Sequence, residues 1–326
     1  MSFVFRQQKG MVIIMKLFDL HCDTAFELED RNITLSDETL DINDRMISDF
    51  DTFFAVSAIC ADEHDTDETA YERFFKIKDN FKSECCSRGY LVCKNISDIK
   101  ACREHNTPGF ITAVEDARIL AGKSERIQIL FESGVRIITP MWGGESCIGG
   151  SHESERGLTN FGKEAAREFA RLGIITDISH ASERSAYELT DIALSYGMPV
   201  IASHSCAFAL NPHSRNIRDR QIEAVKASGG IIGVNTYPIH LTGTEHAEIG
   251  DVTEHIAHIT DAVGAESIAL GCDFDGMGAC HTSGLEKISC IGALYDALIR
   301  RGFSSEMCDR IFFENAYNFM SAHIAD

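Results

Sequence analysis

The sequence predicts an α/β protein, a single-domain (β/α)8 barrel of the TIM type. Three observations predict it. Apolar, β-branched runs alternate with amphipathic helical patterns from one end of the chain to the other. The runs are continuous, as parallel strands covered on both faces require. Eight such runs in 326 residues fit a closed barrel.

The candidate strands are 16–21, 53–60, 110–115, 135–140, 174–179, 199–204, 230–235 and 267–272. Helices with legible ends join them. Thr159 can cap NFGKEAAREFARL, whose apolar positions recur every three or four residues, and Gly173 stops it. Ser182 can cap ERSAYELTDIALSY, closed by Gly197 and Pro199. Asp251 or Thr253 can start EHIAHITDAV, ended by Gly264, and 304–323 reads as a closing helix. No glycine-rich phosphate loop follows the first strand, which weakens a dinucleotide-binding alternative. The glycine-rich polar loop 143–157 follows the fourth strand, on the face where such barrels keep active sites. Residues 1–15 read as an N-terminal extension and 16–326 as the barrel domain.

Composition bounds the function. A formal net charge of -20 repels phosphate backbones, so neither nucleic acid nor an anionic membrane is expected as partner. No run is long enough to span a membrane, and the N-terminal stretch lacks a secretory signal's cleavage pattern. The 12 cysteines form no CxxC pair, so a reducing cytoplasm and mostly buried thiols are expected, with Cys85 and Cys86 the most solvent-facing.

The polar residues that end the strands carry the chemistry. His21 ends the first run and Asp23 follows it, and period-two geometry turns them to one side, away from Cys22. Glu115 ends the third run, His180 follows the fifth, His204 closes the sixth and Asp273 follows the eighth. In a barrel these six groups converge on one mouth. Taken singly, each is more often a structural residue or a cap. As a set, the carboxylates would repel one another and lose solvation, and a divalent cation relieves both costs. Imidazole with carboxylate suits zinc, and a carboxylate can bridge two ions. His152 and His281, in loops near the mouth, rank second. His64, His105, His246, His255, His258 and His323 are expected in solvent, and Cys22 and Cys272 outside the mouth.

These residues, with GLTNFGKEAAREFARLGIITDISHAS, VIASHSCAFAL, HSRNIRDRQIEAV, GGIIGVN and GCDFDG, make the chain resemble the membrane dipeptidase (renal dipeptidase) family of amidohydrolase-like metal hydrolases. The resemblance runs from FDLHCDT to FFENAYNF. It implies a dipeptidase with two zinc ions and a water activated between them, acting on dipeptides that include a D-residue at the C-terminal side. It implies that His21 and Asp23 bind one zinc, Glu115 bridges, and His180 and His204 bind the second. Arg215 would hold the substrate's terminal carboxylate. Asp273 would carry protons and contact the substrate's amine. It also suggests a homodimer. Other readings stay open: a related metal hydrolase of small amides or lactones, or a metal-loaded binding protein.

Three departures from the family pattern stand out. Mammalian members carry a histidine near the end of the fourth strand, where RIITPMWGG here has Trp142, expected to line the substrate pocket through its ring. Asp116 follows Glu115 where glycine is usual. The chain ends at SAHIAD with no lipid-anchor signal, so no membrane anchor is expected.

Overall fold

A computed structural model describes residues 5–8, 11–62 and 64–325 of the chain. Eight parallel strands close a barrel: β1 (Lys16–Cys22), β2 (Thr52–Cys60), β3 (Gly109–Glu115), β4 (Val135–Thr139), β5 (Ile175–Asp177), β6 (Val200–Ser205), β7 (Ile232–Val234) and β8 (Ile268–Leu270). Each pairs with its sequence neighbours, and β8 returns to β1 through Leu270 and Asp19. The expected barrel and its eight strands are thus observed, with shorter β5, β7 and β8. β5 stops at Asp177 because its carboxylate takes the backbone N–H groups of Ser179 and Ser203, replacing ladder partners.

Two features went unread in the sequence. Leu91–Cys93 extends one edge of β3 before β4 takes that edge over at Thr112. Three residues give no period to read. The extension forms an antiparallel hairpin, Phe5–Gln8 with Met11–Ile14, that pairs only with itself among the described residues.

Alternate strand residues sort into two clusters. Phe18, Leu20, Phe54, Val56, Ile111, Ala113, Ile137, Ile175, Ile201 and Ala269 fill the barrel interior, packed with Phe313, Tyr317 and Met320 of the C-terminal segment. Leu17, Phe53, Ala55, Phe110, Val114, Ile138 and Val200 face the surrounding helices. The closing segment is less regular than expected: Ser305–Asp309 and Asn315–His323 are α-helical, with a π-helical turn over Arg310–Glu314.

The capped helices form as expected. Thr159 accepts from the Gly162 N–H at 2.9 Å ahead of Asn160–Leu172, and Ser182 from the Ser185 N–H at 2.9 Å ahead of Glu183–Ser195. One start is corrected. The helix expected from Asp251 or Thr253 begins at Ile249, where Glu248 and Asp251 form a capping box. Cys85 is also corrected. It is fully buried on the inner face of Asp67–Ser87, and only Cys86 is exposed. His255, expected in solvent, is buried between the Ala207 N–H and the Leu241 carbonyl.

The interior narrows beside β6. A Cβ on Gly233 or on Gly271 would lie 1.8 Å from the Ser203 carbonyl oxygen. Glycine there lets β6 carry its backbone into the barrel. Gly271→Ala should therefore destabilise the fold by about 1–3 kcal/mol. Urea unfolding checks this, and an unchanged midpoint would show that the barrel yields at no cost.

Candidate metal centre and substrate cavity

The β-strand period brings part of the site together. Ile111, Ala113 and Glu115 point into the barrel in turn, and Glu115 is the last of that row. The three histidines need backbone irregularities. Asp19 pairs with Ala55 but Cys22 with Ser57, three steps against two, so β1 bulges and His21 turns inward. β6 bulges likewise, since Ala202 pairs with Ile232 and Ser205 with Val234. His204 sits within that bulge. His180 lies beyond β5 with φ 65°, a left-handed conformation that swings it back over the mouth. Asp116 and Asp273 share this conformation, at φ 71° and 68°. Asp116 thus occupies a backbone position that suits glycine, and its side chain caps the Arg118 N–H at 2.9 Å.

The residues expected at the mouth do converge. His21 Nε2 lies 3.5 Å from Asp23 Oδ2, 3.6 Å from Glu115 Oε2 and 3.7 Å from Asp273 Oδ1. Glu115 Oε1 lies 3.1 Å from His180 Nε2 and 3.5 Å from His204 Nε2. The two carboxylate oxygens of Glu115 therefore face different imidazoles. Asp23 is not in extended backbone as period two requires. It precedes the helix Thr24–Asp30, and its side chain makes no capping bond, which leaves it to the cluster.

Hydrogen bonds fix two tautomers. The Trp142 carbonyl, an acceptor only, takes a hydrogen from His180 Nδ1 at 3.1 Å. Asp177 Oδ2 accepts the Ser203 hydroxyl hydrogen at 2.5 Å, so His204 Nδ1 donates to Ser203 Oγ at 2.7 Å. Both histidines then present bare Nε2 lone pairs, 3.0 Å apart. Two lone pairs at that distance repel unless a cation lies near both. Burial keeps both imidazoles neutral by pushing His204 well below and His180 below the usual range. Burial pushes Asp23 up to about 7 despite His21 beside it. At His21 burial is outweighed by Glu115 and Asp23, which hold the imidazole well above its usual range.

The donor set fits a divalent cation on this structure's own terms. His21 Nε2 is buried without a hydrogen-bond partner among the described residues. Ligand atoms of His21, Glu115 and His204 lie within 4.8 Å of one another, as do those of His21, Asp23 and Asp273. Nitrogen and carboxylate oxygen donors without sulfur suit zinc and its first-row neighbours.

A cavity of about 360 Å³ opens over this cluster, lined among others by Phe26, Trp142, His152, Arg215, Tyr237 and His240. Trp142 is 41% exposed, with its ring 6.1 Å from that of His180. Arg215 is 3% exposed. It donates to the His204 carbonyl at 2.9 Å and to Ser205 Oγ at 3.2 Å. Its Nε has no partner, and no carboxylate pairs with it among the described residues. A buried guanidinium without a counter-charge calls for an anion.

His152 lines the cavity, its Nδ1 2.9 Å from Ser214 Oγ, but His281 does not; it pairs with Asp41 at 2.8 Å. Three further cavity or site residues were missed in the sequence: Asn235, Tyr237 and His240. A signal existed for Asn235. It continues the inward row Ile231, Gly233, Asn235 one residue beyond β7, and its side chain donates to Asp273 Oδ2 at 2.9 Å.

The site gathers imidazole and carboxylate donors at the mouth of a parallel (β/α)8 barrel, and comparisons with known proteins narrow its class. The model of the membrane dipeptidase family (peptidase family M19) matches residues 6–324, so the chain belongs to that family. It is 34% identical over 206 residues to dipeptidase tcpJ of Claviceps purpurea, covering 62% of this chain and 48% of that protein. It is 34% identical over 230 residues to the uncharacterized dipeptidase C965.12 of Schizosaccharomyces pombe, covering 65% and 54%. The chain thus spans about half the length of these relatives. Among solved structures, dipeptidase AC of family M19 superposes with a TM-score of 0.87 at 22% identity, over 96% of this chain and 99% of that one. A Rhodobacter sphaeroides metallopeptidase, liganded with a phosphinate mimic of L-Ala-D-Ala, gives 0.85 at 21% identity, over 95% and 99%. These likenesses confirm the barrel fold.

The tautomer chain through Ser203 makes a prediction. Ser203→Ala removes the acceptor of the His204 Nδ1 hydrogen and should weaken divalent-metal binding about 10–100-fold. Competition titration against a chelating dye reads this directly. Parental affinity would show that the Asp177–Ser203 pair does not orient His204.

Proposed function

We propose that the chain is a zinc-dependent dipeptidase with a binuclear site. The observation that carries this reading is the meeting, in one 360 Å³ cavity, of the imidazole–carboxylate cluster with the buried guanidinium of Arg215, which no carboxylate pairs among the described residues. That volume suits a small molecule and excludes a folded protein substrate. His21 and Asp23 would hold one ion and His180 and His204 the other, with Glu115 shared between them. The ions, when bound, supply Lewis acidity and lower the pKa of bound water.

The chain's own residues do the rest. Arg215 takes the substrate's terminal carboxylate, which its planar fork matches. That fixes the C-terminal end of the dipeptide and leaves the scissile bond toward the cluster. Asp273, at the rim between His21 and Asn235, accepts a proton from the attacking water at Oδ1. It returns that proton to the leaving amine as the C–N bond breaks. Trp142 gives the substrate an apolar face, and its carbonyl orients His180.

The L-Ala-D-Ala mimic held by the Rhodobacter protein supports including dipeptides with a D-residue at the C-terminal side. No helix among the described residues is long and apolar enough to cross a membrane. We assign a cytoplasmic location on the 12 cysteines, and a homodimer as the assembly on the family resemblance.

Turnover of a dipeptide panel by zinc-loaded protein, with and without chelator, tests the reading; no turnover of any dipeptide would overturn it. Two variants test its parts. Arg215→Lys keeps the charge but loses the fork, and should cost about 1.5–3 kcal/mol in kcat/KM. C-terminally amidated dipeptides should already be poor substrates of the parent, and equal turnover of both forms would remove this role. Asp273→Asn should keep both metal ions and lower kcat by roughly 10²–10⁴-fold. Elemental analysis beside kinetics distinguishes this from a ligand's role, in which metal and activity would fall together.

A further inference from the structure

We infer that Asn235 is the positioning residue of the proton carrier. It divides the two oxygens of Asp273 between the protein and the reaction. The inference rests on the reading of Asp273 given above.

Asn235 is fully buried just past β7. Its amide orientation is not ambiguous. The Tyr237 backbone N–H, which can only donate, points at Asn235 Oδ1 at 2.6 Å. The side-chain nitrogen must therefore face the other way. It donates to Asp273 Oδ2 at 2.9 Å and stands 3.4 Å from His240 Nδ1. Turning the amide over would set its oxygen against the Asp273 carboxylate and its NH₂ against a backbone N–H. The Tyr237 N–H and the Asp273 carboxylate thus hold one orientation.

The consequence falls on Asp273. A carboxylate's terminal torsion is broad and two-fold, so its two oxygens exchange readily unless one is held. Asn235 holds Oδ2. Oδ1 is left toward His21 Nε2, 3.7 Å away, on the side of the cavity where the water and the leaving amine must lie. Asp273 also sits at φ 68°, where an L-residue is rarely stable without outside support. The backbone of Asp273 is anchored as well, its N–H donating to the His21 carbonyl at 3.1 Å. The backbone bond fixes where Asp273 stands. The Asn235 bond fixes which oxygen works. Without it, Asp273 can turn both oxygens toward the metal cluster and become a ligand instead of a proton carrier.

The test uses the full chain loaded with zinc. Asn235→Leu removes the donor at similar volume, and Asn235→Ser removes it with the least disturbance of packing. Both should lower kcat about 10–100-fold, the usual cost of losing an outer orienting partner. KM should stay within about threefold of the parent and metal content unchanged, because neither Arg215 nor the ligands are touched. In an Asp273→Asn background the same substitutions should cost almost nothing further, since there is no carrier left to orient. A merely structural role would instead add its loss to both backgrounds. Parental kcat in Asn235→Leu or Asn235→Ser, beside an inactive, metallated Asp273→Asn, overturns the inference and leaves the reading of Asp273 intact. Loss of metal in both Asn235 variants also overturns it, by making Asn235 a support of the metal cluster. A fully active Asp273→Asn would remove the reading of Asp273 itself.

Discussion

The constraint on which the rest of this structure depends is the burial of Glu115. A carboxylate only 3% exposed, among three imidazoles and two further acids, is held at the top of the barrel interior. Burial by itself would protonate it, yet the charged His21 imidazole beside it keeps it well below the usual carboxylate range. Positive charge is therefore a condition of this mouth. The same demand appears at His21, whose buried Nε2 has no hydrogen-bond partner among the described residues. A protein interior tolerates such a cluster only when something cationic completes it.

Meeting that condition takes irregular backbone. Regular strands would turn His21 and His204 toward the helices, and a bulge in β1 and another in β6 reverse this. The β6 bulge has its own steric requirement, met by Gly233 and Gly271 beside the Ser203 carbonyl. Behind the histidines, Asp177 ties β4, β5 and β6 together through Thr139, Ser179 and Ser203. That one buried carboxylate both ends β5 and, through Ser203, orients the His204 ring. Fold and site share the same hydrogen bonds here, so neither can vary alone.

The cavity above the cluster is divided by charge. Most of the lining acids stand on the side of β1, β3 and β8, with Glu153 on the loop after β4, while Arg215 donates to His204 and Ser205 of β6. A dipeptide, with an amine at one end and a carboxylate at the other, matches that polarity. Trp142 lines the cavity with an exposed aromatic face, which makes this wall more apolar.

The sequence by itself determined the barrel, because continuous apolar runs separated by capped helices admit few other arrangements. It also determined which residues would meet. His21, Asp23, Glu115, His180, His204 and Asp273 all stand at strand ends, and a closed parallel barrel gathers strand ends at one mouth. Period-two reading suffices for Glu115, and carried one residue past β7 it would have reached Asn235. It fails for the three histidines, which face the site through bulges and a left-handed turn that no local pattern announces. It fails for His255, buried by packing between two loops, and for Cys85, whose helix face only the neighbouring strands select. Tertiary structure alone decided which oxygen of Asp273 Asn235 holds, which nitrogen of His180 and of His204 is bare, and that no carboxylate among the described residues pairs with the buried Arg215. Those are properties of contacts between residues far apart in the chain, and a sequence fixes them only after the barrel has closed.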